Sequence, residues 1–235
     1  MQTSSGGGVG RHAGARGFSL VELAIVLAVI GVIIGMVTIG AGVYRSATHA
    51  KIHSTFVQGW QTAYDGYVQR RGSVPGSTDG TQRVNDGSGQ LCNGTDDALL
   101  NTFLEAGVEL PDGRGPGQQH RAVYQDSNGN PQSVEVCFAN MDWSVPGEAV
   151  GVYNRRPRNV MILRNLTPSL ARQLDNAIDG RADARFGRFR EMGVHDNTDD
   201  TRTEWSLDDT DAMGGTSATD DDQVAVVTGV YKMSR

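Results

Sequence analysis

An apolar run near the beginning of the chain is its longest hydrophobic pattern. Residues 23–44 are 22 consecutive positions without a formal charge, and Ile, Val, Leu, Ala and Gly dominate them. A helix of about 20 apolar residues is long enough to cross the hydrocarbon core of a membrane. The run therefore predicts a membrane-spanning helix with one carboxylate, that of Glu22, at its head.

An amphipathic pattern follows the apolar run. Apolar residues recur there at intervals of three and four positions: Ile52, Phe56, Trp60, Ala63 and Tyr67. This spacing places them on one face of a helix, and Gly72 and Pro75 break the pattern. We expect one long helix over residues 18–71, of which residues 18–44 lie in the membrane and the remainder lies under a sheet.

The rest of the chain, residues 72–235, predicts one α+β domain. Residues 122–125 and 133–138 alternate apolar and polar positions around an Asp-Ser-Asn-Gly-Asn-Pro turn. Further strands are predicted over three stretches, for an antiparallel sheet of four or five strands: residues 149–153, 159–163 and 224–232.

Loops and two short helices complete the predicted domain. Residues 72–97 are rich in Gly, Ser, Asp and Asn and are expected to form a loop. One short helix should follow the N-cap residue Asp97 and end at Gly107. The other should follow the N-cap residue Thr167, with Pro168 at its first position, and end at Gly180.

Glu22 requires a partner if it enters the hydrocarbon region. A carboxylate in hydrocarbon costs several kcal/mol unless it is neutralised or paired. Cleavage between Gly17 and Phe18 would create an α-amino group four residues from Glu22, one helical turn away. That amine, in the same chain or in a neighbour, could supply the positive charge.

The sequence from residue 17 to residue 23 is Gly-Phe-Ser-Leu-Val-Glu-Leu, preceded by a short polar, basic segment. It resembles the class III signal of type IV pilins and type II secretion pseudopilins. The resemblance implies that residues 1–17 are a leader removed by a prepilin peptidase after Gly17. It also implies that Phe18 becomes the methylated N-terminus and that Glu22 guides subunit docking.

The same resemblance implies a pilin-like α+β fold, a non-enzymatic role and a set of partners. These partners are other pilin or pseudopilin subunits, an assembly platform protein and, through it, a cytoplasmic ATPase. The basic leader, with Arg11 and Arg16, should stay in the cytoplasm by the positive-inside rule. The domain would then lie outside the bacterial inner membrane, and later in a periplasmic or extracellular filament.

Two other interpretations of the apolar run remain open. A secretory signal peptide would place its cleavage site after the run, whereas the Gly-Phe pair precedes it. A plain membrane anchor would explain the run but not Glu22. At the level of function, the alternative is a membrane-anchored periplasmic binding or adhesive module that never polymerises.

The two cysteines, Cys92 and Cys137, predict a disulfide if the domain is exported. A bridge that closes a loop of about 45 residues stabilises a fold by roughly 4 kcal/mol in the chain-entropy model. Two buried free thiols are the alternative.

Net charge argues against one class of partner, and an acidic segment suggests a ligand. The chain carries a net charge of −6, which argues against nucleic acid held by a basic surface. Dense carboxylates towards the end suggest Ca²⁺, and some pseudopilins carry calcium in a C-terminal loop. Solvated acidic loops are the alternative. The candidate ligands are Asp208, Asp209, Asp211, Asp220, Asp221 and Asp222.

No catalytic constellation is visible in the sequence. It contains no Gly-x-Ser-x-Gly, His-Glu-x-x-His or Walker motif. His49 and His53 are four residues apart, and we expect a solvent-facing pair rather than a metal site. The sequence therefore predicts a protein that is not an enzyme.

Overall fold

The computed structural model describes residues 19–94, 96–199, 202–219 and 221–235, without the side chains of residues 37–41. The chain divides into two units between Tyr44 and Arg45. Helix α1 runs over Leu20–Lys51, a π-helical turn over Ile52–Val57 and helix α2 over Gln58–Arg71. Gly72 ends α2 in the left-handed conformation, with φ of 71°.

The amphipathic pattern of the second unit is confirmed. All five apolar positions of the predicted face are buried, and Val57, Tyr64 and Val68 join them. The π-helical turn was not predicted. In it the hydroxyl of Thr55 donates to the Lys51 carbonyl oxygen at 2.7 Å. The wider turn shifts the helical register, so that the consecutive residues Phe56 and Val57 are both buried.

The described part of the second unit contains a six-stranded antiparallel sheet and further short helices. The strands are β1 (Gln90–Cys92), β2 (Arg121–Gln125), β3 (Pro131–Pro146), β4 (Tyr153–Leu166), β5 (Phe189–Glu191) and β6 (Val227–Lys232). The helices are the 3-10 helix Val84–Gly87, α3 (Ala98–Glu105) and α4 (Pro168–Asp179). The strand order is β1-β3-β4-β6-β5, and β2 pairs with β3 beside β1. The α+β layout agrees with the predicted fold class.

Several predicted elements differ from the structure. Residues 149–152 are the tip of the β3–β4 hairpin and not a strand, because Gly151 adopts a positive φ of 81° that makes a turn. The predicted loop over residues 72–97 contains β1, and β5 was not predicted. Both strands have three residues, too few to show an alternating pattern, and they form through pairing with β3 and β6.

The central strands are buried on both faces. On one face, Phe138 of β3 stacks on Tyr64 of α2 with ring centroids 5.4 Å apart, and lies 5.7 Å from the ring of Phe103. The neighbouring residues Cys137 and Ala139 point to the other face, since side chains alternate along a strand. The sheet therefore separates two hydrophobic clusters and forms a rigid support for the loops at its ends.

Candidate functional site

The first candidate site is the beginning of α1, where Ser19 and Glu22 cap the helix reciprocally. The Glu22 Oε2 atom accepts a hydrogen bond from the Ser19 backbone N–H at 3.1 Å. The Ser19 hydroxyl oxygen accepts one from the Val21 N–H at 3.3 Å. This is a capping box, in which side chains satisfy N–H groups that have no partner within the helix. Ser19 is a residue that our sequence analysis overlooked, although its Ser-x-x-Glu spacing is a recognised signal.

The other predicted residues of this site lie outside the described part of the chain. Both Gly17 and Phe18 belong to the undescribed segment, so the cleavage and methylation predictions stay predictions. Glu22 itself is exposed and accepts from a backbone N–H. Its pairing with an α-amino group also remains a prediction.

The side chains that follow Glu22 form an uncovered apolar surface in the first unit. Large apolar residues between Leu20 and Met36 expose from 46% to 87% of their area. Water-exposed apolar surface of this extent is unfavourable by about 25 cal/mol per Å², so it marks a surface that binds lipid or protein. Within the described residues, no helix combines the length and the apolar character that crossing a membrane requires.

The acidic candidates for calcium bind groups of their own chain. Asp209 Oδ1 accepts from the Ser169 backbone N–H at 3.0 Å and so caps α4, where we had expected the Thr167 side chain. Asp208 accepts from the backbone N–H and the hydroxyl of Thr210, and these bonds lower its pKa. Asp222 Oδ2 accepts from Thr219 in the same way. These carboxylates therefore stabilise turns and a helix end.

Calcium binding remains untested by this arrangement. Among the described residues, no three His, Cys, Asp or Glu side chains are grouped so as to hold a metal ion. Asp220 lies outside that part of the chain, and Asp221 is exposed. Asp97, the other predicted cap, adopts a left-handed conformation, and its side chain makes no capping hydrogen bond to α3.

Asp126 fixes the acidic segment to one end of the sheet, and the sequence did not identify it. Its Oδ1 atom accepts from the backbone N–H groups of Asn128 and Asn130, and its Oδ2 atom accepts from the Val224 N–H at 3.1 Å. The Asn130 side-chain amide donates to the Asp222 carbonyl oxygen at 2.9 Å. The β2–β3 turn is therefore joined to the segment that precedes β6.

The predicted disulfide is present in the structure. Cys92 of β1 lies directly opposite Cys137 of β3, with Cα atoms 4.5 Å apart and the sulfur atoms bonded. This Cα separation is typical of a non-hydrogen-bonded pair in an antiparallel ladder. The bridge ties the three-residue strand β1 covalently to the central strand β3.

The histidines form no recognisable catalytic arrangement with one another in the described chain. His49 is buried, and its Nδ1 atom lies 2.9 Å from Gln173 Oε1, so the expectation that it faces solvent was wrong. Burial lowers the pKa of His49 and that of His53. His120 is buried, with Nε2 3.9 Å from a Glu135 carboxylate oxygen.

The carboxyl group of Asp175, on α4, has a strongly raised pKa. It is fully buried, and its Oδ2 atom accepts from the Asp183 N–H at 2.6 Å and the Trp205 indole N–H at 3.1 Å. Burial raises its pKa to about 7, although both hydrogen bonds act in the opposite direction. Oδ1 has no hydrogen-bond partner in the described structure.

The contribution of Asp175 to stability should therefore fall as the pH rises towards 7. The folded-state pKa of Asp175 is about 7 and the ordinary value is 3.8, so the folded state binds the proton more tightly. The stabilisation is complete below the unfolded pKa and is lost as the pH rises through the folded pKa, by about 1 kcal/mol per pH unit. We expect Asp175→Asn, which keeps an acceptor oxygen but cannot ionise, to unfold at a higher denaturant concentration than the wild type at pH 8. Parallel profiles of unfolding midpoint against pH would contradict this prediction.

One family model matches the beginning of the chain. Residues 13–38 match the family model described as the prokaryotic N-terminal methylation motif. No curated protein and no solved structure matches the chain. The match covers the capping box and the exposed apolar surface and does not extend into the second unit.

Proposed function

Because the chain carries the class III prepilin signal that is shared by type IV pilin-like proteins, we propose that it is a structural subunit of a type IV pilus-like filament. Within that family, it is a minor pilin or a type II secretion pseudopilin. The observation that carries the proposal is the matched motif, which leads directly into a helix with exposed apolar side chains. The matched motif supports a precursor that a prepilin peptidase processes.

Processing and membrane insertion form the first step of the proposal. The peptidase cuts after Gly17, and Phe18 becomes the methylated N-terminus. Residues 18–44 anchor the chain in the inner membrane in a single pass, with the domain outside the cytoplasm. In this state lipid covers the apolar side chains that are exposed in the isolated chain.

Assembly transfers this apolar surface from lipid to other subunits. Lipid tails are as apolar as Leu and Ile side chains, so the hydrophobic contribution nearly cancels in the transfer. A modest energy input, supplied by an ATPase through a platform protein, can therefore move subunits in either direction. Polar groups must then determine the specificity of the contact between subunits. Glu22 is the carboxylate at the head of the helix. Its partner is the α-amino group of a neighbouring subunit.

The experiment that tests this function is mass spectrometry of the N-terminus after expression in a bacterium that has a prepilin peptidase. We expect a chain that has lost 17 residues and begins with N-methylated Phe18. The control is Gly17→Val, which should remain uncut because the bulky side chain blocks the cleavage site. A wild-type chain that retains its first 17 residues and stays monomeric would overturn the proposal. That result would favour a membrane-anchored binding or adhesive module.

A further inference from the structure

A basic cleft lies at the end of the sheet where β6 finishes. It has a volume of about 520 Å³, and basic residues from three segments line it: Arg83, Arg158, Lys232 and Arg235. Among the residues that the structure describes, no Asp or Glu lines the cleft. In a chain with a net charge of −6, such a concentration of positive charge is unexpected and requires an explanation.

The cleft is held in shape by buried hydrogen bonds. Asn159 is buried at its base, where its Oδ1 atom accepts from the Val84 N–H at 3.0 Å and from the Asn140 amide at 2.8 Å. The Asn159 side-chain amide donates to the Gln82 carbonyl oxygen at 2.9 Å, and the backbone carbonyl oxygen of Asn159 accepts from the Met233 N–H. These bonds join the segments of Arg83 and of Lys232 to β4, which carries Arg158. The cleft is therefore formed before any partner arrives.

The cations of this region lack carboxylate partners. Within the described chain, no salt bridge involves Arg83, Arg158, Arg188 or Lys232. Burial lowers the pKa of Lys232, and the neighbouring guanidinium groups of Arg190, Arg158 and Arg188 lower it further, while Asp179 opposes them. Arg155 of the same hairpin differs, since it lies 3.6 Å from an Asp196 carboxylate oxygen. The positive field is thus available to an external anion.

The opposite end of the sheet carries the complementary charge. The contacts of Asp126, Asn128 and Asn130 hold the acidic segment beside the β2–β3 turn. Its described carboxylates belong to five residues: Asp208, Asp209, Asp211, Asp221 and Asp222. Ten residues of the chain separate Asn130 from Asn140 along β3, which is roughly 30 Å at the rise of an extended strand. The domain therefore has an acidic end and a basic end.

We propose that the basic cleft binds the acidic end of a second copy of this chain, in a head-to-tail contact. A contact between two different surfaces of identical subunits does not close on itself unless the rotation happens to form a ring, so it extends into a filament. The inference rests on the proposed filament function, which it deepens by naming an interface between the domains. Exposed charge pairs contribute up to about 1 kcal/mol each and are screened by salt. They therefore set the relative position of the two subunits and speed their association more than they strengthen binding.

Charge reversal tests the contact in the full chain, purified in detergent micelles and followed by sedimentation at low and high salt. We expect Arg158→Glu to raise the concentration for half-assembly about tenfold at low salt, from losing an attraction and adding a repulsion. Arg70→Glu is the matched control, since Arg70 is also exposed but lines neither the cleft nor the pocket beside the acidic segment. It should leave assembly unchanged. Adding Asp221→Arg to Arg158→Glu should restore most of the lost association.

Three results would overturn the proposed contact alone. Equal association of the two single variants, or no recovery in the charge-swapped variant, would show that the cleft serves another anion. Association of the wild type that does not depend on salt would also exclude it. In each case correct processing at Gly17 and incorporation through α1 would leave the filament function intact. A wild-type chain that stays monomeric at both salt concentrations would overturn both.

Discussion

Glu22→Gln should be processed and inserted like the wild type yet be at least about tenfold depleted from filaments. Gln retains an oxygen that can accept the Ser19 N–H, so the capping box and the start of α1 should persist. The substitution removes only the charge. An α-amino group brought into an apolar filament core would then lack its counter-charge, and an unpaired charge of that kind costs several kcal/mol.

Ser19→Ala is the matched control for this effect. It removes the hydroxyl that accepts the Val21 N–H while leaving the Glu22 charge in place. We expect a loss of about 1 kcal/mol in helix stability and nearly normal incorporation. Quantitative immunoblotting of sheared filaments against the membrane fraction measures both variants. Normal incorporation of Glu22→Gln into filaments would contradict the docking role. If Ser19→Ala were depleted from filaments while Glu22→Gln was not, the role of Glu22 would be helix capping.

Removing the disulfide should lower the free energy of unfolding of the domain by roughly 4 kcal/mol. The bridge closes a loop with a sequence separation of 45, which includes α3 and β2. Its loss therefore raises the conformational entropy of the unfolded chain and so favours unfolding. The double variant Cys92→Ala/Cys137→Ala is the appropriate test. Ser at position 137 would bury a hydroxyl in a cluster where Cys137 is fully covered.

Fluorescence of the buried tryptophans during denaturant unfolding of the full chain in micelles measures this effect. Trp60 and Trp143 are fully buried, one in each hydrophobic cluster, so they monitor both faces of the sheet. A reducing agent should lower the wild-type midpoint towards that of the double variant and leave the variant unchanged. A wild-type midpoint that is insensitive to reduction would contradict the predicted contribution.

The boundaries of long elements followed from the sequence because local chemistry fixes them. Gly72 ends α2 and Gly180 ends α4, in both cases as left-handed residues that glycine adopts without steric cost. Pro168 begins α4 because its missing N–H is unneeded in the first turn. The Asp-Ser-Asn-Gly-Asn-Pro turn sets the β2–β3 hairpin for a similar local reason.

Elements that depend on distant partners could not be predicted in the same way. The three-residue strands β1 and β5 exist because β3 and β6 offer them unpaired backbone groups. The cap of α4 comes from Asp209, 40 residues away from Ser169, and not from the adjacent Thr167. These strand pairings and capping contacts depend on which residues are close in space. Neither secondary-structure propensity nor hydrophobic periodicity contains that information.

The amino-acid sequence by itself determined the N-terminal signal, the apolar helix and the amphipathic face of residues 45–71, because each depends on residues within one or two helical turns. Only the tertiary structure gathered Arg83, Arg158 and Lys232 into one cleft and held the acidic segment at the far end of the sheet. Charges that are far apart along the chain become one electrostatic surface only after the backbone has brought them together.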